Sequence, residues 1–300
     1  MSQAIIELRS LTRRYGRRRG VEGIDLDVPE GALFGFLGPN GAGKTTTIRV
    51  LLGFLHASGG TARALGRDCW RESRRIKEDV GYVPGDVRLY PWLTGRDALR
   101  IVGAVRGRGL RAKGAEIAEE LGLDLSVKVR SMSRGTRQKL GLVLAMAHEP
   151  RLLILDEPTS SLDPLVQERL RSRLRRMARS GHTVFFSSHT LSEVESLCDR
   201  VAILREGRLV ANETLDALRR ATGHEVTVRF RDSSLPSGDD TPSGVRWDSR
   251  AGSEWRGRIE GPLEPLLAWL GKHSVDDVAL GRPDLETLFR RFYSGGGGAA

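Results

Sequence analysis

The chain has 300 residues, enough for one large unit and a smaller one. Its formal charge is +10, yet the basic residues are spread along the sequence and aromatics make up only 6%, so no nucleic-acid partner is expected. Two cysteines, Cys69 and Cys198, form no ligand cluster and suit a reducing cytosol, and the longest apolar run, Leu140 to Ala147, falls far short of the ~20 residues that cross a bilayer. No secretory signal pattern opens the chain, and it is expected to be soluble, with any membrane role supplied by a separate partner.

In chain order, residues 3–8 and 24–28 read as strands. Leu33-Phe34-Gly35-Phe36-Leu37 reads as a buried strand, and Thr46 to Leu52 as a helix with an apolar side. Between them, Gly38-Pro39-Asn40-Gly41-Ala42-Gly43-Lys44-Thr45 fits the phosphate-binding pattern G-x-x-x-x-G-K-[ST] at every fixed position. Glycines let successive N–H groups point inward at a polyphosphate, and the helix start adds partial positive charge. Lys44 can then reach the β- and γ-phosphates, and the Thr45 hydroxyl can ligate Mg²⁺.

Residues 63–130 show helical patches broken by glycines, such as Arg96 to Gly107 and Ala115 to Leu121. A helix is expected over Thr136 to Ala147, closed by Pro150. Arg151 to Leu155 is a continuous apolar strand, as a parallel sheet covered on both faces requires, and it ends in Asp156-Glu157. That puts two carboxylates at the sheet's carboxyl edge, where open α/β sheets bind ligands. Asp156 suits the surroundings of a Mg²⁺ bridging terminal phosphates, and Glu157 can orient and deprotonate an attacking water.

Further on, Leu165, Val166, Leu170, Leu174 and Met177 fall on one side of a helix, with Arg169, Arg173 and Arg176 on the others. Thr183 to Ser187 and Val201 to Leu204 read as strands, and Glu206-Gly207 as a hairpin turn. The alternation of strands and helices predicts an α/β core with helices on both faces. After about residue 215 the texture changes. Glu225 to Phe230 and Trp255 to Glu260 read as strands, Asp232 to Gly244 as a loop, and Pro283 to Tyr293 as a helix. The expected division is 1–219, a small α+β unit at 220–293, and a disordered tail at 294–300.

Over residues 4–215 the order of these parts resembles the ATP-binding cassette (ABC) ATPases. Tyr15, in Arg13-Arg14-Tyr15-Gly16, matches the aromatic that stacks on adenine in that family. Met132-Ser133-Arg134-Gly135-Thr136 stands at the place of the signature, Ser160-Ser161-Leu162-Asp163 at that of the D-loop, and His189 at that of the switch histidine. The resemblance implies a P-loop NTPase fold with a mainly parallel sheet and a helical subdomain at about 86–140. It implies ATP and Mg²⁺ as ligands, with Tyr15, residues Gly38 to Thr46, Ser133, Gly135 and Asp163 around the nucleotide. Thr45 and Asp156 then serve the metal, and Lys44, Glu157 and His189 the chemistry. Two such chains, identical or related, would face each other head to tail, the signature of one meeting ATP on the loop of the other.

The sequence departs from the family at two places. The signature consensus L-S-G-G-Q is replaced by Met132, Arg134 and Thr136 around the retained Ser133 and Gly135. Gly85, in Tyr82-Val83-Pro84-Gly85-Asp86, stands where a glutamine senses Mg²⁺, and Asp86 is expected to supply a weak oxygen ligand one residue later. Residues 82–87, 134–140 and the ending Asp284 to Phe289 are similar to bacterial drug-resistance exporters, including the daunorubicin-resistance group. That similarity implies a separate ABC-2-type permease and a peripheral position on the inner face of the membrane. Arg96, Arg100, Arg106, Arg108, Arg111 and Lys113 form either a face for that partner or for headgroups, or a solvated basic surface. The alternative is a cassette ATPase without a transport role, although the coiled-coil heptads and second cassette of the best-known such members are missing.

Overall fold

A computed structural model describes residues 4–281 apart from 17, 108, 222, 232–234, 237–240 and 260. The expected helix at 283–293, the tail at 294–300 and Arg108 lie outside the described residues. The chain separates into two compact units, the first ending at Glu213 and the second beginning at Thr214.

The first unit opens with β1 (Ala4–Tyr15) and β2 (Arg18–Pro29), a long antiparallel pair that extends well past the short strands expected there. β3 (Leu33–Leu37), buried throughout, leads through the glycine loop into α1 (Lys44–Leu51). β4 (Gly59–Ala64) and β5 (Arg67–Asp68) follow, then α2 (Ser73–Glu78) and β6 (Val80–Val83). The helical stretch holds α3 (Gly95–Arg106), α4 (Arg111–Glu120) and α5 (Arg134–Met146). The rest of the unit alternates: β7 (Leu152–Asp156), α6 (Pro164–Arg179), β8 (Thr183–Ser188), α7 (Leu191–Leu197), β9 (Arg200–Arg205) and β10 (Arg208–Thr214).

Two sheets result. One is ordered β2-β1-β4-β5. The other is ordered β10-β9-β3-β8-β7-β6, with β9, β3, β8, β7 and β6 running parallel. Phe34, Phe36 and Phe185 pack within this sheet's core, with ring centroids 5.9 Å apart for Phe34–Phe185 and 5.1 Å for Phe36–Phe185. β8 lies between β3 and β7, so the ends of these three strands meet at one carboxyl edge although far apart in sequence. The Glu206-Gly207 turn joins β9 to β10 with positive φ at both residues, 50° and 78°, as a tight hairpin demands.

The periodicity of α6 misled in two places. Leu165 is 62% exposed, whereas Arg173 is buried. The Arg173 guanidinium reaches α4, 2.6 Å from Glu120 and 3.2 Å from Glu116, and Arg176 also bonds Glu120. A spacing rule assigns arginine to solvent because the partner that permits its burial sits on another helix.

In the second unit, α8 (Leu215–Ala221) precedes β11 (His224–Phe230), β12 (Val245–Ala251), β13 (Glu254–Ile259), α9 (Glu264–Leu270) and β14 (Val275–Gly281). The strands form one sheet, β12-β13-β11-β14. Val226, Val228, Phe230, Trp255, Ile259, Leu266 and Trp269 make its core. The outer strands β12 and β14 stayed hidden because β12 is mostly polar and the apolar residues of β14, Val275, Val278, Ala279 and Leu280, do not alternate. An edge strand with one wet face shows few apolar residues.

Candidate nucleotide-binding site

The glycine loop closes tightly over the sheet edge. Gly43 has φ 108°, and a Cβ there would lie 2.5 Å from Val21 Cγ1 and 2.7 Å from the Gly20 carbonyl oxygen, so only glycine fits. The Gly38 N–H donates to the Ser188 carbonyl (3.2 Å), which moors the loop to β8. α1 starts without a side-chain cap or an acidic first turn, leaving its first N–H groups open to an anion. Tyr15, Gly20, Pro39, Asn40, Gly41, Lys44, Thr45, Thr46 and Glu157 are among the residues lining a cleft of about 210 Å³. Gly38 and Ala42, in the same loop, are buried.

Lys44 is 5% exposed, and its ammonium is fully engaged. It donates to the carbonyls of Gly38 (2.6 Å) and Pro39 (3.3 Å) and stands 3.1 Å from Glu157 Oε1. His189, just past β8, places Nδ1 3.3 Å from the other Glu157 oxygen. Lys44, Glu157 and His189 therefore come together. Glu157 adopts φ 49°, a left-handed conformation that costs a non-glycine residue about 1–3 kcal/mol. Its N–H is held by the Ser187 carbonyl (3.1 Å), and this turn carries its carboxylate over to Lys44.

Asp156 is buried and accepts two hydroxyl hydrogen bonds, from Thr45 Oγ1 (2.8 Å) and from Ser187 Oγ (2.6 Å). Among the described residues no three His, Cys, Asp or Glu side chains gather into a metal cluster. A donor set of one hydroxyl and one carboxylate beside a phosphate loop fits Mg²⁺, which keeps waters and takes phosphate oxygens for the rest of its shell. Asp86 does not join them. Its carboxylate bonds Arg88 Nε at 2.8 Å, and this bond, with Arg134 and Arg137 adding charge, holds it below the usual carboxylate range. A Cβ at Gly85 would lie 3.4 Å from the Asp156 carbonyl oxygen, so the expected glutamine's position abuts the site with no side chain to offer.

Several contributors escaped sequence reasoning. Ser187 links Asp156 to Glu157 through its hydroxyl and carbonyl. Tyr82, on the face of β6 that meets Ile154 in register, has its phenol pushed up to about 12 by burial, with the charge of Asp156 adding to the effect. Glu193 accepts from Thr159 (2.6 Å) and from Ser188, tying the turns after β7 and β8 together. None carries a local motif. Strand register reveals Ser187 and Tyr82, and the packing of α7 beside the turns after β7 and β8 reveals Glu193.

The signature residues lie elsewhere in the chain, and none lines the cleft. Ser133 caps α5, accepting from Thr136 N at 3.1 Å. The helix thus starts two residues before the expected Thr136. At Gly135 a Cβ would lie 2.3 Å from the Ser161 carbonyl, so α5 and the loop before α6 touch through glycine. Asp163 caps α6 through Val166 N (3.0 Å), and that bond lowers its pKa.

A parallel sheet with a phosphate loop after one strand and an acidic pair after a near neighbour defines a P-loop nucleoside triphosphatase. Residues 21–160 match the family model described as ABC transporter. An uncharacterized ABC transporter ATP-binding protein, YhaQ of Bacillus subtilis, is 34% identical over 290 residues, covering 93% of this chain and 95% of YhaQ. The daunorubicin resistance ATP-binding protein DrrA2 of Streptomyces coeruleorubidus is 31% identical over 303 residues, covering 95% and 94%. A solved structure of the ATP binding subunit of an ABC transporter superposes with TM-score 0.68 at 30% identity, covering 72% of this chain and 92% of that one. The chain belongs to the ABC transporter ATP-binding proteins, and it is an ATPase.

Proposed function

We propose that the chain is the motor of a membrane exporter, hydrolysing ATP to drive a drug, lipid or similar cargo through a separate ABC-2-type permease. Among the described residues no helix is long and apolar enough to cross a membrane, so the pore falls to the partner. The likeness to DrrA2 along nearly the whole chain supports the export reading.

The observation that carries the catalytic reading is the contact of Lys44, Glu157 and His189 at the edge where Thr45 meets Asp156. The Glu157 carboxylate is the general base, taking a proton from the attacking water. Lys44 and the open N–H groups of α1 hold the terminal phosphates, and His189 stands beside Glu157 to contact the γ-phosphate. Mg²⁺, served by the Thr45 hydroxyl and Asp156, supplies charge neutralisation on the phosphates. Tyr15, 41% exposed at the rim of the cleft, stacks on adenine.

Ser133, Gly135 and Asp163 stand outside this cleft, which supports a head-to-tail pair in which they complete the site of a second copy. Transport assays in cells that supply a partner permease test the export role. Cargo efflux that stops on Glu157→Gln is expected, and efflux that continues would refute it.

A further inference from the structure

The nucleotide chemistry above leaves Arg13 without a part, although it touches Tyr15 of the cleft lining. Arg13 and Tyr15 are two residues apart on β1, and their side chains meet. The Arg13 guanidinium carbon sits over the Tyr15 ring, 5.1 Å from its centroid. Its Nη1 donates to the His56 carbonyl (2.9 Å), in the segment that follows α1. Its Nε is buried with no hydrogen-bond partner among the described residues. Arg14, next in sequence, instead pairs with Glu22 at the surface (3.2 Å). A buried donor left unsatisfied is costly. The place of the Arg13 guanidinium therefore follows from the ring and the His56 carbonyl, not from full hydrogen bonding.

The other restraints on Tyr15 act at its rim. A Cβ at Gly20 would lie 2.9 Å from Tyr15 Cε2, and the phenol lies 3.4 Å from Thr46 Oγ1. These bound an edge and the hydroxyl tip, and neither fixes the tilt of the ring plane. A cation over one face does, and the ring, 41% exposed, lines the nucleotide cleft.

We infer that Arg13 is a positioning residue for base recognition: its guanidinium clamps one face of Tyr15 so that the other is pre-oriented for adenine. The inference rests on the reading of Tyr15 as the adenine platform. Pre-ordering an exposed ring removes part of the entropic cost of binding, and an exposed cation–π contact is worth about 0.5–1 kcal/mol, a two- to five-fold change in affinity.

The test is calorimetric titration of the full chain with ATP and, separately, with inorganic tripolyphosphate, which has no base. Wild type, Arg13→Met, Tyr15→Ala and the double variant are compared, with thermal melts to confirm folding. Arg13→Lys serves as a second variant, keeping the charge but not the plane. Arg13→Met is expected to weaken ATP about two- to five-fold, to leave tripolyphosphate unchanged, and to add nothing in the Tyr15→Ala background. Arg13→Lys is expected to fall between. Wild-type ATP affinity in Arg13→Met, an equal loss in the Tyr15→Ala background, or a parallel loss of tripolyphosphate would each overturn the inference. If Tyr15→Ala itself binds ATP normally, the adenine reading of Tyr15 falls, and the clamp falls with it.

Discussion

The phosphate loop and the signature turn are both glycine-containing helix starts, yet the chain treats them differently. Around the loop, side chains from three strand ends reach one another: Lys44 and His189 meet Glu157, and Thr45 meets Asp156. At the signature, the polar groups are spent on local capping, Ser133 on α5 and Asp163 on α6. One region is a site assembled within the chain. The other is a surface whose polar groups cap their own helices and line no part of the cleft. A helix start alone does not define a complete site. What gathers around it does.

The largest expected effect lies on the assembled side. Glu157→Gln removes the base and should lower phosphate release by about 10²–10⁴-fold while nucleotide binding persists. The same substitution removes the anion held against Lys44, so ADP, which is not hydrolysed, should bind more tightly by fluorescence titration. Unchanged ADP affinity would mean that the Lys44–Glu157 contact does not compete with phosphate.

On the signature side, Gly135→Ala forces a Cβ into the Ser161 carbonyl. Strain of about 1–3 kcal/mol is expected, seen as a lower melting temperature and lost ATPase activity with the loop cleft intact. A variant with wild-type stability and turnover would show that this contact is not close-packed.

The helical stretch that carries the signature is also tied down by charge. Arg173→Met should destabilise the chain by roughly 1–3 kcal/mol by leaving Glu116 and Glu120 short of a cation. Burial alone would raise Glu120, but Arg176 and Arg173 outweigh it and hold the carboxyl below its ordinary value. A carboxylate depressed in the folded state stabilises fully above its unfolded pKa, and this is lost as pH falls through the folded value. The melting difference between wild type and Arg173→Met should therefore shrink on acidification through the carboxylate range. A constant difference would assign Arg173 to packing alone.

The smallest effect is expected at Asp86. Its carboxylate serves Arg88, so Asp86→Ala should shift Mg²⁺-dependent ATP affinity by less than about two-fold, within the range of a surface ion pair. A loss beyond ten-fold would return Asp86 to the metal.

Much of the site was legible because it is written in contiguous residues. The loop, the acidic pair after an apolar strand and the histidine after another strand each have local pattern and spacing. What stayed hidden depends on register. Ser187 and Tyr82 act through strands that become neighbours only in the folded sheet, and Arg173 is buried only because α4 brings acids to it. The pairing of Asp86 with Arg88 went unseen because a sequence position near a metal site says nothing of a competing arginine two residues on. The outer strands β12 and β14 escaped because five of the seven residues in each are exposed, which leaves little apolar pattern to read.

The most direct test of the account is the mass of Glu157→Gln in solution, measured by light scattering with and without Mg²⁺ and ATP. A doubling of mass on adding both, abolished by a second substitution at Ser133, is the expected result. A species that stays at the mass of one chain under saturating nucleotide would contradict the shared site.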